Sequence, residues 1–190
     1  MYVIFNSSDG KIARVITALP DEASIDAQVS DGESWIHSDV YGDYVQDGVV
    51  LRKPAQPSPH HEWDWTTKSW LPNLDVARES QRQAWNAWRD RELVVGYPHN
   101  GHIFHSDDRF MAELQLLLKG YERGHLTGTS AIRTRDNAVL QMSAAEIESL
   151  LLLIGLHRQV IYQQSWVGKD ALAGLTTLED IVAGGPPTSE

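Results

Sequence analysis

The stretch Arg133-Thr134-Arg135-Asp136-Asn137-Ala138-Val139-Leu140-Gln141-Met142-Ser143-Ala144-Ala145-Glu146 decides the fold class, because a hairpin signal runs straight into a helix start. Ala131 to Thr134 and Ala138 to Met142 are strand-like, and Arg135-Asp136-Asn137 between them supplies turn residues. Ser143 with Glu146 three positions on is a capping box, in which the serine serves the N3 amide and the glutamate reaches back. Beyond it Ile147, Leu150, Leu151, Ile154, Leu156, Val160 and Ile161 cover more than one helical face. They predict a long, deeply buried helix that reaches Trp166 or further. A strand pair feeding directly into a helix predicts an α+β fold.

The same alternation extends upstream. Ser106-Asp107-Asp108 caps a helix whose apolar stripe is Phe110, Leu114, Leu117, Leu118 and Tyr121, with Lys119 and Arg123 before Gly124. Asn100-Gly101, between Leu93 to His99 and His102 to His105, is a strong signal for a two-residue hairpin turn. From Asp75 to about Leu93 a helical period places Ala77, Ala84, Trp85 and Trp88 on one stripe, flanked by Arg78, Arg82, Arg89 and Glu92. Downstream, Leu178 to Val182 predicts a last helical turn, and residues 184–190 a flexible tail.

Residues 1–52 read as a β-rich N-terminal attachment domain. Tyr2 to Phe5 and Ile12 to Ile16 flank Ser7-Ser8-Asp9-Gly10, and Asp43 to Gln46 and Val49 to Arg52 flank Asp47-Gly48. Between these hairpins Asp21 to Asp39 reads as loop, with a short strand near Trp35-Ile36. Residues 53–59, with Pro54, Pro57 and Pro59, read as a stiff polyproline linker. Residues 60–183 then form the second domain, opened by a tryptophan ribbon in which Trp63 and Trp65 share one face. Either these indoles plug a local core or they anchor a partner.

Composition narrows the function classes. Hydrophobic residues at 42 % and charged residues at 22 % are those of a folding chain. With no cysteine, the chain has no disulfide framework, thiol nucleophile or thiolate metal site. The net charge of −10 divides into −6 over residues 1–73, with 5 basic and 11 acidic side chains, and −4 over the remainder. Neither part has the basic stripe that phosphate neutralisation needs, so no nucleic acid is expected as partner. The longest apolar run, Leu150 to Leu156, is too short for a bilayer, and the start lacks a basic segment before an apolar run. A soluble protein with no membrane insertion and no Sec export is expected.

Few residues are spaced as a reactive site requires. His99, His102 and His105 suggest a metal triad, but around Asn100-Gly101 only His99 and His102 share a face, while His105 points to the other. No metal and no cofactor is assigned, and His99 and His102 remain the weak two-ligand candidates. His61-Glu62-Trp63-Asp64-Trp65 lacks the second histidine and the helix of a zincin, and Gly124 to Gly128 lacks a phosphate-binding lysine. Nucleophile elbows, Walker loops and dinucleotide fingerprints do not occur. No catalytic residues are assigned, and the chain is expected not to be an enzyme.

From about Trp63 to Leu175 the chain resembles small tail proteins of tailed bacteriophages that carry a C-terminal domain of unknown function, labelled tail fibre or tail assembly proteins. The resemblance lies in an order of pieces. The ribbon ending in Lys68-Ser69-Trp70 is followed by an arginine-rich helix, then by Gly101-His102-Ile103-Phe104-His105-Ser106-Asp107 entering a helix. Arg133 to Ser143 then leads into Glu146 and the long helix. Tyr44 to Pro54 is also similar to hairpins of phage tail proteins. The resemblance implies a structural virion component, a tail fibre or baseplate connector found in the virion tail and, during assembly, in the host cytoplasm. Its expected partners are tail fibre or baseplate proteins and further copies of itself, with Trp63, Trp65, Trp70, Tyr44 and Val45 as the candidate partner-binding residues. The alternatives are a tail fibre assembly chaperone and a metal-dependent enzyme using the histidines.

Overall fold

The computed structural model describes residues 1–18 and 21–188. It is an α+β protein of two compact units, Met1–Asn73 and Leu74–Glu190.

In the first unit β1 (Tyr2–Asn6) is the centre of an antiparallel sheet, with β2 (Ile12–Ile16) on one side and β3 (Glu33–His37) on the other. Because side chains alternate along a strand, Val3 and Ile4 face opposite ways, and both are fully buried. The Val3 face meets Val45 and Val50 from the hairpin β4 (Tyr44–Gln46) and β5 (Val49–Leu51). On the Ile4 face, Trp35 sits opposite Ile4 and donates its indole N–H to Asp26 at 2.8 Å. That bond ties down α1 (Glu22–Asp26), capped by Asp21, a helix in the segment expected to be loop. Five residues are too few for a hydrophobic period to register, and the Asp21 cap, the Trp35 bond and the buried Ile25 together hold the turn.

Gly10 closes the first hairpin with φ +69°, and its carbonyl accepts from the Val45 amide at 2.8 Å. A Cβ at Gly10 would lie 2.1 Å from the Val45 carbonyl oxygen, so the two hairpins approach only because this residue is glycine. Asp47 and Gly48, with φ of 51° and 77°, form the predicted two-residue turn.

The linker and the domain boundary differ from the sequence-based reading. The ribbon β6 (His61–Asp64) and β7 (Ser69–Pro72) belongs to the first unit, and the division falls at 73/74. The proline segment is stapled to that ribbon: Trp70 donates its indole N–H to the Pro54 carbonyl at 2.8 Å, and Gln56 donates to the His61 carbonyl at 2.7 Å. Proline leaves its carbonyl free as an acceptor, so an extended segment that looks like a spacer docks once a donor is brought to it.

The second unit runs α2 (Leu74–Val95), β8 (Tyr97–His99), β9 (His102–Phe104), α3 (Asp108–Glu122), β10 (Thr129–Arg133), β11 (Val139–Ser143), α4 (Ala144–Ala171), a 3-10 turn (Leu172–Gly174) and α5 (Leu178–Ala183). Its core joins Phe104, Phe110, Leu114, Ile132, Met142, Ile147, Leu150 and Ile154. Ser143 accepts from the Glu146 amide and Glu146 reaches back to the Ser143 amide, so the predicted capping box is present. The hairpin tips are joined: Arg135 N–H donates to the Ile103 carbonyl at 2.7 Å, and His102 Nδ1 lies 3.1 Å from Asp136 Oδ2. Hydrogen bonds from Thr134 first and His102 second lower the Asp136 carboxyl to about 2.

α4 corrects a further expectation. It is buried along Ile147, Leu150, Ile154, Ile161 and Ser165, yet Leu152, Leu156, Val160, Trp166 and Val167 are at least half exposed. Of the predicted tail, Gly184 accepts from the Trp85 indole at 3.0 Å, while Ser189 and Glu190 lie outside the described residues.

Candidate functional site

The aromatic residues singled out by sequence gather in the first unit. Trp63 lies opposite Trp70 across β6 and β7, with ring centroids 5.4 Å apart. Tyr44 packs 5.5 Å from Trp63, and Trp65 meets Trp63 edge-on at 6.3 Å. Trp65 itself stands in the turn between the strands. That turn is held by Asp64, whose carboxylate accepts from the Thr66 amide at 2.8 Å and the Thr67 hydroxyl at 2.9 Å. The Thr66 amide and then the Thr67 hydroxyl hold the Asp64 carboxyl below the usual range. Lys68, at φ 54°, completes the reversal.

Burial separates the five candidates. Tyr44, Val45 and Trp63 are each at most 7 % exposed, and Val45 belongs to the core around Val3. The sequence reading placed these three among the partner contacts; in the structure their side chains pack inside the first unit. Their rings and methyls support Trp65 and Trp70, which are partly exposed. The indole N–H of Trp63 is buried and has no hydrogen-bond partner among the described residues.

Three ammonium groups, missed in the sequence reading, surround Trp65. Lys53 lies 4.2 Å from its ring centroid, Lys68 5.5 Å and Lys11 5.6 Å; Lys53 also lies 5.3 Å from Trp63. Each gains from the negative face of the indole. Three of the five basic side chains among residues 1–73 thus converge on one ring in a segment of net charge −6. Lys53 and Lys68 border the ribbon in sequence and were open to suspicion, whereas Lys11 arrives with the first hairpin. An aromatic face ringed by cations accepts a carboxylate-bearing segment with an apolar or planar side chain.

The histidines form no comparable centre. His99 and His102 are direct cross-strand neighbours, but His102 is engaged by Asp136, and His105 lies 3.8 Å from Asp107 and against Phe110. Among the described residues no group of three or more His, Asp or Glu side chains converges to hold an ion. A cavity of ≈ 420 Å³ lies between α3 and β10, with Phe110 and Leu114 among its walls and Arg109, Glu113 and Arg133 among its charged residues.

The family model described as Domain of unknown function (DUF4376) matches residues 76–183. The chain belongs to this family. The DUF4376 match covers α2 through α5, which is nearly the whole second unit. The lysine-ringed aromatic cluster lies outside the match, on the first unit. No curated protein and no solved structure matches the chain. Among the described residues no helix is long and apolar enough to cross a membrane.

Proposed function

We propose that this DUF4376 protein is a structural component of a bacteriophage tail, a connector that attaches or supports a receptor-binding fibre through contacts of its first unit. The observation that carries the reading is the Trp65 cluster: three lysines around a partly exposed indole, rigidly mounted on buried Tyr44 and Trp63. Such a surface suits a partner segment bearing carboxylates, with Trp65 and Trp70 as the aromatic contacts. The order of pieces in the second unit, similar to that of phage tail proteins, supports the setting. The lowered carboxyls at Asp21, Asp64, Asp136 and Glu146 are engaged in turns and helix caps.

Mass spectrometry of washed phage particles tests it. A virion connector is present in a fixed ratio to the fibre, and Trp65→Ala with Lys53→Glu lowers capture of the fibre or baseplate protein by at least about tenfold. Absence from finished particles, together with fibre that is insoluble unless co-expressed, would instead identify an assembly chaperone. Absence with soluble fibre would overturn both readings.

A further inference from the structure

α4 is apolar on two opposite sides. At 100° per residue, Ile147, Leu150, Ile154, Ile161 and Ser165 define the buried face, and Leu152, Leu156, Trp166 and Val167 lie across the helix from it. The outer row Ser149, Leu152, Leu156, Gln159, Gln163, Trp166 and Asp170 advances in alternating steps of three and four, the spacing of a helix-pairing seam. Leu152, Leu156, Val160, Trp166 and Val167 are 64 %, 51 %, 50 %, 54 % and 68 % exposed.

We infer that this face pairs with the same face of a second copy, the two α4 helices crossing antiparallel about a twofold axis between Gln159 and Val160. The inference goes beyond the tail reading and does not depend on it. Area is the first argument. The five apolar side chains leave on the order of 600 Å² open per copy, so two copies bring together about 1,200 Å², where specific interfaces begin. Gln159 and Gln163 enlarge that area and tolerate both water and burial.

Direction follows from charge and shape. A parallel pair would set Asp170 against Asp170 and align two helix dipoles. The antiparallel pair sets Asp170 against the Ser149 hydroxyl, Leu152 against Val167 and Leu156 against Gln163. A groove of ≈ 460 Å³ lies beside the seam, with Trp85, Trp88, Val160, Gln163, Gln164 and Val167 among its walls. Its four α4 residues stand at i, i+3, i+4 and i+7, the arrangement that receives one side chain from a facing helix. The antiparallel register brings Leu156 of the second copy opposite its centre. Each copy inserts Leu156 into the other's groove, and this reciprocity is what a closed twofold contact requires.

The absence of cysteine makes the test direct. Sedimentation of the full chain gives the mass of two copies. Leu156→Glu raises the dissociation constant by at least about 100-fold, with the helical circular dichroism unchanged. In antiparallel pairing the two copies of residue 152 lie about 22 Å apart. Leu152→Cys alone therefore does not cross-link on oxidation, while a mixture of Leu152→Cys and Val167→Cys chains gives a disulfide-linked pair. A monomer at 100-micromolar concentration, a two-copy mass unchanged by Leu156→Glu, or cross-linking of Leu152→Cys alone would each overturn the inference.

Discussion

Replacing Gly168 by alanine sets helix propensity against packing, and the structure decides which wins. Alanine in a helix interior is favoured over glycine by about 1 kcal/mol. Gly155, on the same helix, is the internal reference: an added Cβ there meets only the Met111 Cε, at 4.0 Å. Gly155→Ala should therefore stabilise the second unit by about 1 kcal/mol. At Gly168 the added Cβ would lie 2.2 Å from both Cε2 and Cζ2 of Trp85. Ordinary carbon contacts are about 3.5 Å or more, so the ring must retreat by more than about 1 Å. It is not free to do so. Its N–H is bonded to the Gly184 carbonyl at 3.0 Å, and its face meets Trp88 edge-on at 5.4 Å. Overpacking against an anchored ring costs about 3 kcal/mol, at the upper end of the usual range, leaving Gly168→Ala destabilised by about 2 kcal/mol. The two alanine variants should then differ by about 3 kcal/mol, which at this chain length is at least about 6 °C in melting temperature. Circular dichroism at 222 nm follows the helix-rich second unit directly. Adding Trp85→Leu to Gly168→Ala should recover part of the loss, because the clash then has no ring. A Gly168→Ala protein that melts at or above Gly155→Ala would refute the packing argument.

Three further outcomes follow from particular contacts. Asp136 has its folded value lowered to about 2 from an ordinary 3.8, so the stability it contributes is present above pH 3.8 and is lost as pH falls towards 2. Asp136→Asn should lower the urea midpoint at neutral pH and flatten its decline between pH 4 and 2; parallel curves for the two proteins would remove Asp136 from that role. Ser143→Ala deletes the hydroxyl that accepts from the Glu146 amide, and should cost about 1 kcal/mol by chemical denaturation, with an unchanged midpoint counting against the cap. Gly10→Ala combines a φ of +69° with a Cβ 2.1 Å from the Val45 carbonyl, and should cost the first unit more than about 2 kcal/mol. Hydrogen exchange should then rise in β1 and β4 but not in α4, and uniform exchange throughout would contradict it.

The candidate site was only half legible. Trp63, Trp65 and Trp70 stand out as three indoles within eight residues, and Tyr44 lies beside a clear hairpin turn. Nothing local says that Trp63 faces inward while Trp65 sits in the turn, because strand alternation ends where the Asp64 turn begins. Lys11 is 54 positions from Trp65, and only the approach of the first hairpin to the second brings its ammonium to the ring. The histidines teach the converse lesson. The turn places His99 beside His102 as alternation predicts, yet the available partner proves to be Asp136 from another hairpin.

The sequence by itself determined the backbone states that one or two residues can enforce. Asp47-Gly48 and Asn100-Gly101 set hairpin turns through positive φ, Ser143 with Glu146 starts α4, and the alternation of such signals yields the α+β class. Tertiary structure decided what each surface meets: that α1 forms at all, that the proline segment belongs to the first unit, and that one face of α4 is covered while the opposite face stays open. The physical reason is range. A turn or a cap is satisfied by hydrogen bonds and sterics within a few residues, whereas burial depends on which apolar surface arrives from far along the chain, and a side chain's polarity does not record whether that surface comes.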